Sequence, residues 1–142
     1  MQLSDFPLKS HDKIRYSDVD RQGHVNNAVF VTYLETARTD LLEQIVPGFW
    51  ESDYGIVAAR LELDYRAELF WPGIVETGTA LASIGRTSMV IEQAMFQEGR
   101  LVAQAKTVLV LIDAKTHKPV PVPDDLRARL MAVSYTHLRA HE

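Results

Sequence analysis

Apolar and polar residues follow two different rhythms along this chain. Between residues 57 and 69, Val57, Ala59, Leu61, Leu63, Tyr65, Ala67 and Leu69 alternate with Arg60, Glu62, Asp64, Arg66 and Glu68. A period of two sends one set to a buried face and the other to water, so the stretch predicts a strand. Earlier the spacing is different. Phe30, Tyr33, Leu34, Ala37, Leu41 and Ile45 recur at steps of three and four, the mark of an amphipathic helix. Asn26 or Asn27 supplies a cap at its start, and Pro47-Gly48 closes it. From Asn27 to Ile45 the helix would be about 28 Å long at ~1.5 Å per residue.

The remaining elements are mostly strands. Residues 8–16 read as a first strand, 74–84 and 88–97 as a pair joined at Gly85-Arg86, and 101–113 as the last long one. Glu98-Gly99 is a hairpin signal, and hairpin-length connections require antiparallel neighbours. Residues 108–112 are apolar on both faces, which predicts cover on both sides. After Pro121-Val122-Pro123, residues 124–131 suit a short closing helix. The expected class is α+β: a strongly curved antiparallel sheet of about five strands wrapped round one long helix.

Composition narrows the functions on offer. The 142 residues are 46% apolar and 24% charged with a formal charge of -4, ordinary for a single globular domain. Nothing basic enough for nucleic acid or a membrane surface is present. With no cysteine, thiolate catalysis, disulfides and cysteine metal sites are excluded. The first ten residues lack the apolar core of a signal peptide and no stretch is long enough to span a membrane, so a cytoplasmic protein is expected. Residues 133–142, VSYTHLRAHE, match the translation of a common sequencing-library adapter. They are set aside as a tag would be, leaving one domain over residues 1–132.

The chemistry gathers just before the long helix. Asp18, Asp20, Gly23, His24, Val25, Asn26 and Asn27 fall within ten residues. A helix N-terminus offers unpaired N–H groups and partial positive charge, suited to a developing oxyanion. On spacing alone, Asp18 and Asp20 serve equally well as turn residues or as carboxylates beside such a site. His11 and His117 lack metal-ligand spacing, Ser17, Ser83 and Ser88 lack a nucleophile elbow, and no phosphate-binding loop occurs.

The string DVDRQGHVNN, followed by YLETAR, resembles the signature of 4-hydroxybenzoyl-CoA-thioesterase-like acyl-CoA thioesterases, which have the hotdog fold. The likeness is close over residues 15–42 and looser to about residue 131. It implies hydrolysis of an acyl-CoA thioester without metal or organic cofactor, in a homodimer or homotetramer with acyl tunnels between subunits. By the same resemblance Asp20 is the catalytic carboxylate and the Asn27 N–H polarises the thioester carbonyl. Gly23, His24, Val25 and Asn26 line or shape the substrate site. A sister class of hotdog thioesterases carries its catalytic carboxylate where Glu35 falls, with a supporting threonine at Thr39. Glu35 is therefore a second catalytic candidate, against a plain ion pair with Arg38 or Arg15. Two rival functions are an acyl-CoA dehydratase, which would need a histidine paired with a carboxylate, and a non-catalytic acyl-CoA-binding module.

Overall fold

The computed structural model describes residues 1–134; the remainder of the stretch read as adapter-derived lies outside the described residues. In chain order the elements are β1 (Leu8–Lys13), α1 (Asn27–Ile45), β2 (Tyr54–Tyr65), β3 (Ile74–Ile84), β4 (Ser88–Gln97), β5 (Arg100–Asp113) and α2 (Asp124–Met131). Short 3-10 turns occupy Leu3–Asp5, Tyr16–Asp18 and Phe49–Glu51. The five strands form one sheet in the order β1-β3-β4-β5-β2, and every pairing is antiparallel. This is the curved sheet around one helix that the hydrophobic pattern predicts.

The helix begins where its cap dictates. The Asn26 side chain accepts from Ala28 N–H at 2.9 Å, and Gly48, at φ 83°, turns the chain away after the last residues. Phe30, Tyr33, Leu34, Ala37, Leu41 and Leu42 are buried against the sheet. Two apolar clusters lie under it. One, with Ile14, Val25, Phe30, Leu34, Leu69 and Met95, supports its N-terminal half. The other, with Leu42, Phe49, Leu81, Met89 and Leu109, lies below its C-terminal half. Buried Gln93 donates to Leu34 O and Thr79 Oγ1, both at 3.1 Å, and pins the helix at mid-length.

A third cluster covers the opposite face of the sheet. Phe6 packs there against Ala80, Ala94 and Phe96. A Cβ at Gly78 would stand 2.5 Å from the Phe6 ring, so only glycine leaves room for this cover. The 98–99 hairpin has both residues at positive φ, 51° and 77°, as a tight two-residue turn requires.

The strand expected over residues 57–69 differs most from the reading above. It starts earlier, at Tyr54, and ends at Tyr65. A bulge between Ala58 and Arg60 switches its faces, so Ile56 and Ala58 point under the helix and so do Leu61 and Leu63. It is also an edge strand, paired only with β5, and Val57, Leu61 and Tyr65 are 45%, 38% and 46% exposed. Ala67 and Leu69 keep their rhythm of burial after leaving the sheet, packing into the first cluster. The first strand likewise stops at Lys13, because residues 16–18 close a 3-10 turn. Val108 and Val110 of β5 are half-buried rather than covered on both faces. Val133 O accepts from Leu81 N–H at 2.8 Å and Ser134 bridges Leu81 in parallel, so these two residues lie along β3. No helix among the described residues is long and apolar enough to cross a membrane.

Candidate active site

Residues 18–27 fold into a compact turn held from three sides. Val19 bridges Val25, Asp20 N–H donates to His24 O at 2.8 Å, and Gly23, at φ 84°, closes the turn onto Asp20 O. Positive φ at Gly23 is what allows so short a reversal. A side chain there would meet nothing within 4 Å, and Gly23 does not line the neighbouring cleft. Val25 is buried in the core beneath the turn and donates to Leu69 O at 2.8 Å. Asn26 N–H is tied to Asp18 O at 2.8 Å.

The two aspartates divide the work. Asp18 faces inward: its Oδ2 accepts from Arg15 N–H at 2.9 Å and from the Tyr33 hydroxyl. Burial, then the Asp18 hydrogen bond and charge, push the Tyr33 phenol well above the usual tyrosine range. This pair bolts the turn to α1. Asp20 faces outward. Its Oδ1 accepts from Gln22 N–H at 2.9 Å and His24 N–H at 3.3 Å, which fixes the carboxylate and leaves Oδ2 free.

Tyr33→Phe is expected to lower stability at pH 7 by about 1.5–3 kcal/mol, the usual worth of a hydrogen bond to a charged group. The phenol is raised in the folded state, so its contribution is complete below the unfolded value near pH 10 and fades as pH rises through the folded value. The stability gap between wild type and variant should therefore narrow above pH 10. Urea titrations at pH 7 and pH 10.5 measure it; a gap that widens at high pH contradicts the assignment.

Asp20, Gln22, His24, Asn26, Asn27, Phe30 and Tyr65 surround a cleft of about 530 Å³. As the first residue of α1, Asn27 has no carbonyl one turn back to donate to, and its N–H has no protein partner among the described residues. The Asp20 carboxylate and the open helix end thus face the same space. Tyr65 at the end of β2 donates from its hydroxyl to Asn27 O at 2.8 Å and packs edge-on against Phe30, with centroids 5.0 Å apart. His24 forms a side wall: Nε2 lies 3.2 Å from Glu68 Oε2, and its ring meets Phe70 edge-on at 5.4 Å. Tyr65 and Glu68 were not singled out by sequence reasoning. Their only signal was position, at the polar end of the alternating stretch.

Glu35 and Thr39 lie elsewhere. They line a separate cavity of about 300 Å³ under the C-terminal half of α1, eight and twelve residues beyond Asn27. At ~1.5 Å per residue these offsets are about 12 and 18 Å along the helix. Glu35 is exposed, and its Oε2 stands 3.6 Å from Arg38. Burial lowers the Arg38 pKa while Glu35 opposes that shift; the guanidinium remains charged. A sealed, empty void of this volume would cost about 7 kcal/mol at ~24 cal/mol per Å³. That is comparable with the whole net stability of a domain, about 5–15 kcal/mol. Among the described residues no group of three or more His, Cys, Asp or Glu side chains is placed to hold a metal ion.

A family model for the thioesterase-like superfamily matches residues 14–130. The chain belongs to the thioesterase-like superfamily. Within it, the long-chain acyl-CoA thioesterase FadM of Escherichia coli K12 is 29% identical over 127 residues, covering 87% of this chain and 96% of that protein. The acyl-CoA thioester hydrolase YbgC of Escherichia coli O6:H1 is 26% identical over 120 residues, covering 82% and 90%. A thioesterase from Thermus thermophilus, solved with coenzyme A and Zn, superposes with a TM-score of 0.81 at 33% identity, over 91% of this chain and 95% of that one. The family and the hotdog fold implied by the DVDRQGHVNN motif are thereby borne out.

Proposed function

We propose that this thioesterase-family chain hydrolyses acyl-CoA thioesters to free acid and coenzyme A, with Asp20 as the reacting carboxylate. One observation carries the reading: a fixed carboxylate oxygen and an unpartnered helix-start N–H open into the same cleft. The names of the relatives FadM and YbgC support the acyl-CoA substrate. The thioester oxygen receives the Asn27 N–H, which opposes the charge that builds there as the carbonyl is attacked. Asp20 Oδ2 acts by one of two routes. As general base it takes a proton from water, which adds to the carbonyl carbon and expels the CoA thiolate. As nucleophile it displaces the thiolate itself, giving a mixed anhydride that water then opens. Gln22 and His24 N–H groups hold Oδ1 in either route.

The active form in this reading is a homodimer paired along β2. That strand presents 12 residues of unpaired edge backbone, and an exposed edge is a template for a second copy. An antiparallel two-fold pairing centred on Leu61 sets Arg60 opposite the partner's Glu62, and by symmetry Glu62 opposite the partner's Arg60. It also places Val57 across from the partner's Tyr65.

The test is release of free thiol from a panel of acyl-CoAs by the wild-type protein. Binding of acyl-CoA without turnover would favour the binding-module reading. The dehydratase reading draws on the His24–Glu68 contact, a histidine paired with a carboxylate in the same cleft. It requires the ultraviolet absorbance of an enoyl-CoA to fall on hydration; the expected result is no change.

A further inference from the structure

The cavity under the C-terminal half of α1 has no part in the chemistry just described. It is floored by Leu81, Met89, Ile91 and Leu109 and walled by Ile56 and Leu42. Its polar lining is confined to Thr79, already engaged by Gln93, and to Glu35, Arg38 and Thr39 on the helix. Glu35 and Ala58 are exposed, so the cavity opens toward the β2 edge. Within one chain it faces away from Asp20, at the other end of α1.

The direction of β2 resolves this. Tyr65, at the strand's end, touches Asn27 at the start of α1, whereas Ile56 and Ala58, near the strand's start, line the cavity under its far half. Strand and helix therefore run antiparallel. When two copies pair about a two-fold axis at Leu61, the Tyr65 end of one β2 lies beside the 56–58 end of the other. The catalytic cleft of each subunit then meets the cavity mouth of its partner.

We propose that this cavity holds the acyl chain of a thioester bound at the partner's Asp20, and that the preferred substrate is an unbranched aliphatic acyl-CoA of about twelve carbons. The proposal rests on the dimeric thioesterase reading above. The length follows from volume: at ~30 Å³ per water-sized group, about ten chain carbons fill the space. The first few carbons cross the ~4.8 Å between paired strands. An aromatic acyl group would leave most of the cavity empty. A chain ending in a carboxylate would bury that charge among Leu81, Met89, Ile91 and Leu109 with no partner.

Ile91→Trp, which fills the floor, is expected to lower the ratio of kcat/KM for dodecanoyl-CoA over butyryl-CoA at least 30-fold. Met89→Ala, which deepens it, should move the optimum to longer chains. An unchanged ratio in the folded variants overturns the proposal. Binding is read separately by calorimetry with the non-hydrolysable thioethers S-dodecyl-CoA and S-butyl-CoA. Loss of dodecyl discrimination in Ile91→Trp supports the cavity even if wild type hydrolyses nothing, in which case only the assigned activity fails. Co-expression of differently tagged Asp20→Asn and Ile91→Trp subunits decides whether the cavity serves the partner. A mixed dimer has one site with both parts intact, so about a quarter of wild-type dodecanoyl-CoA activity should return in a random mixture. No recovery from mixed dimers shown to form would place cavity and carboxylate in the same subunit and overturn the arrangement.

Discussion

Asp20→Asn is expected to lower kcat for acyl-CoA hydrolysis by about 10²–10⁴-fold if the carboxylate is a general base. If it is the nucleophile, the loss approaches the ~10⁶ seen when a covalent catalyst is removed. The substitution is well matched to the site. An asparagine Oδ1 can still accept the Gln22 and His24 N–H groups that hold Asp20, so the turn keeps its shape while the reacting anion disappears. Stability should therefore move by less than about 0.5 kcal/mol, separating lost chemistry from lost fold. Glu35→Gln, in the other cavity, is expected to leave kcat within a few-fold of wild type. Full activity in Asp20→Asn together with an inactive Glu35→Gln would move the chemistry to the far end of α1. A single turnover in ¹⁸O-water separates the two routes. A base-activated water delivers label directly to the released acid. A mixed anhydride opened at the Asp20 carbon leaves the label on the enzyme.

The second large effect concerns β2. Arg60→Glu sets a new carboxylate against the partner's Glu62 twice in each dimer and also breaks the 2.8 Å Arg60–Glu62 contact within the strand. Cross-strand charge pairs are worth about 0.2–1 kcal/mol each, and like charges cost a similar amount. Two such reversals shift association by about 1–4 kcal/mol, so the dimer Kd should rise about 10- to 100-fold or more. Specific activity should fall with dilution in step with the dimer fraction measured by sedimentation. Exchanging both charges, Arg60→Glu with Glu62→Arg, restores the complementarity and should restore assembly. A dimer indifferent to both changes would mean that β2 is paired in another register or not at all.

The sequence carried α1 almost residue for residue, because three signals agreed: the Asn26 cap, the three-and-four spacing and the Pro47-Gly48 stop. The hairpin strands β3 and β4 were legible for a similar reason, since Gly85 and the Glu98-Gly99 pair mark their ends. β2 was misjudged because alternation reports burial, not hydrogen bonding. Ala67 and Leu69 are buried after the strand has ended, and the bulge before Arg60 changes which residues share a face without altering the pattern of types. The candidate site divides along the same line. Asp20, His24, Asn26 and Asn27 are local to one turn, so their meeting in a cleft could be expected from the motif. Helical spacing gave the distance from Asn27 to Glu35 and Thr39 but not that a separate cavity receives them. Tyr65 and Glu68 join the site through contacts spanning 38 and 44 positions, which no local pattern encodes.

The open N–H at the start of α1 has a consequence for how occupancy can be watched. Val25 and Asn26 donate inward, to Leu69 O and Asp18 O, so their amide protons should exchange with deuterium only when the turn opens. Asn27, the next residue, has nothing to donate to and should exchange at nearly the rate of a free peptide. A carbonyl seated in the cleft would give that proton an acceptor and slow its exchange, leaving its two neighbours unchanged. One backbone amide thus becomes a built-in gauge of whether the cleft is filled.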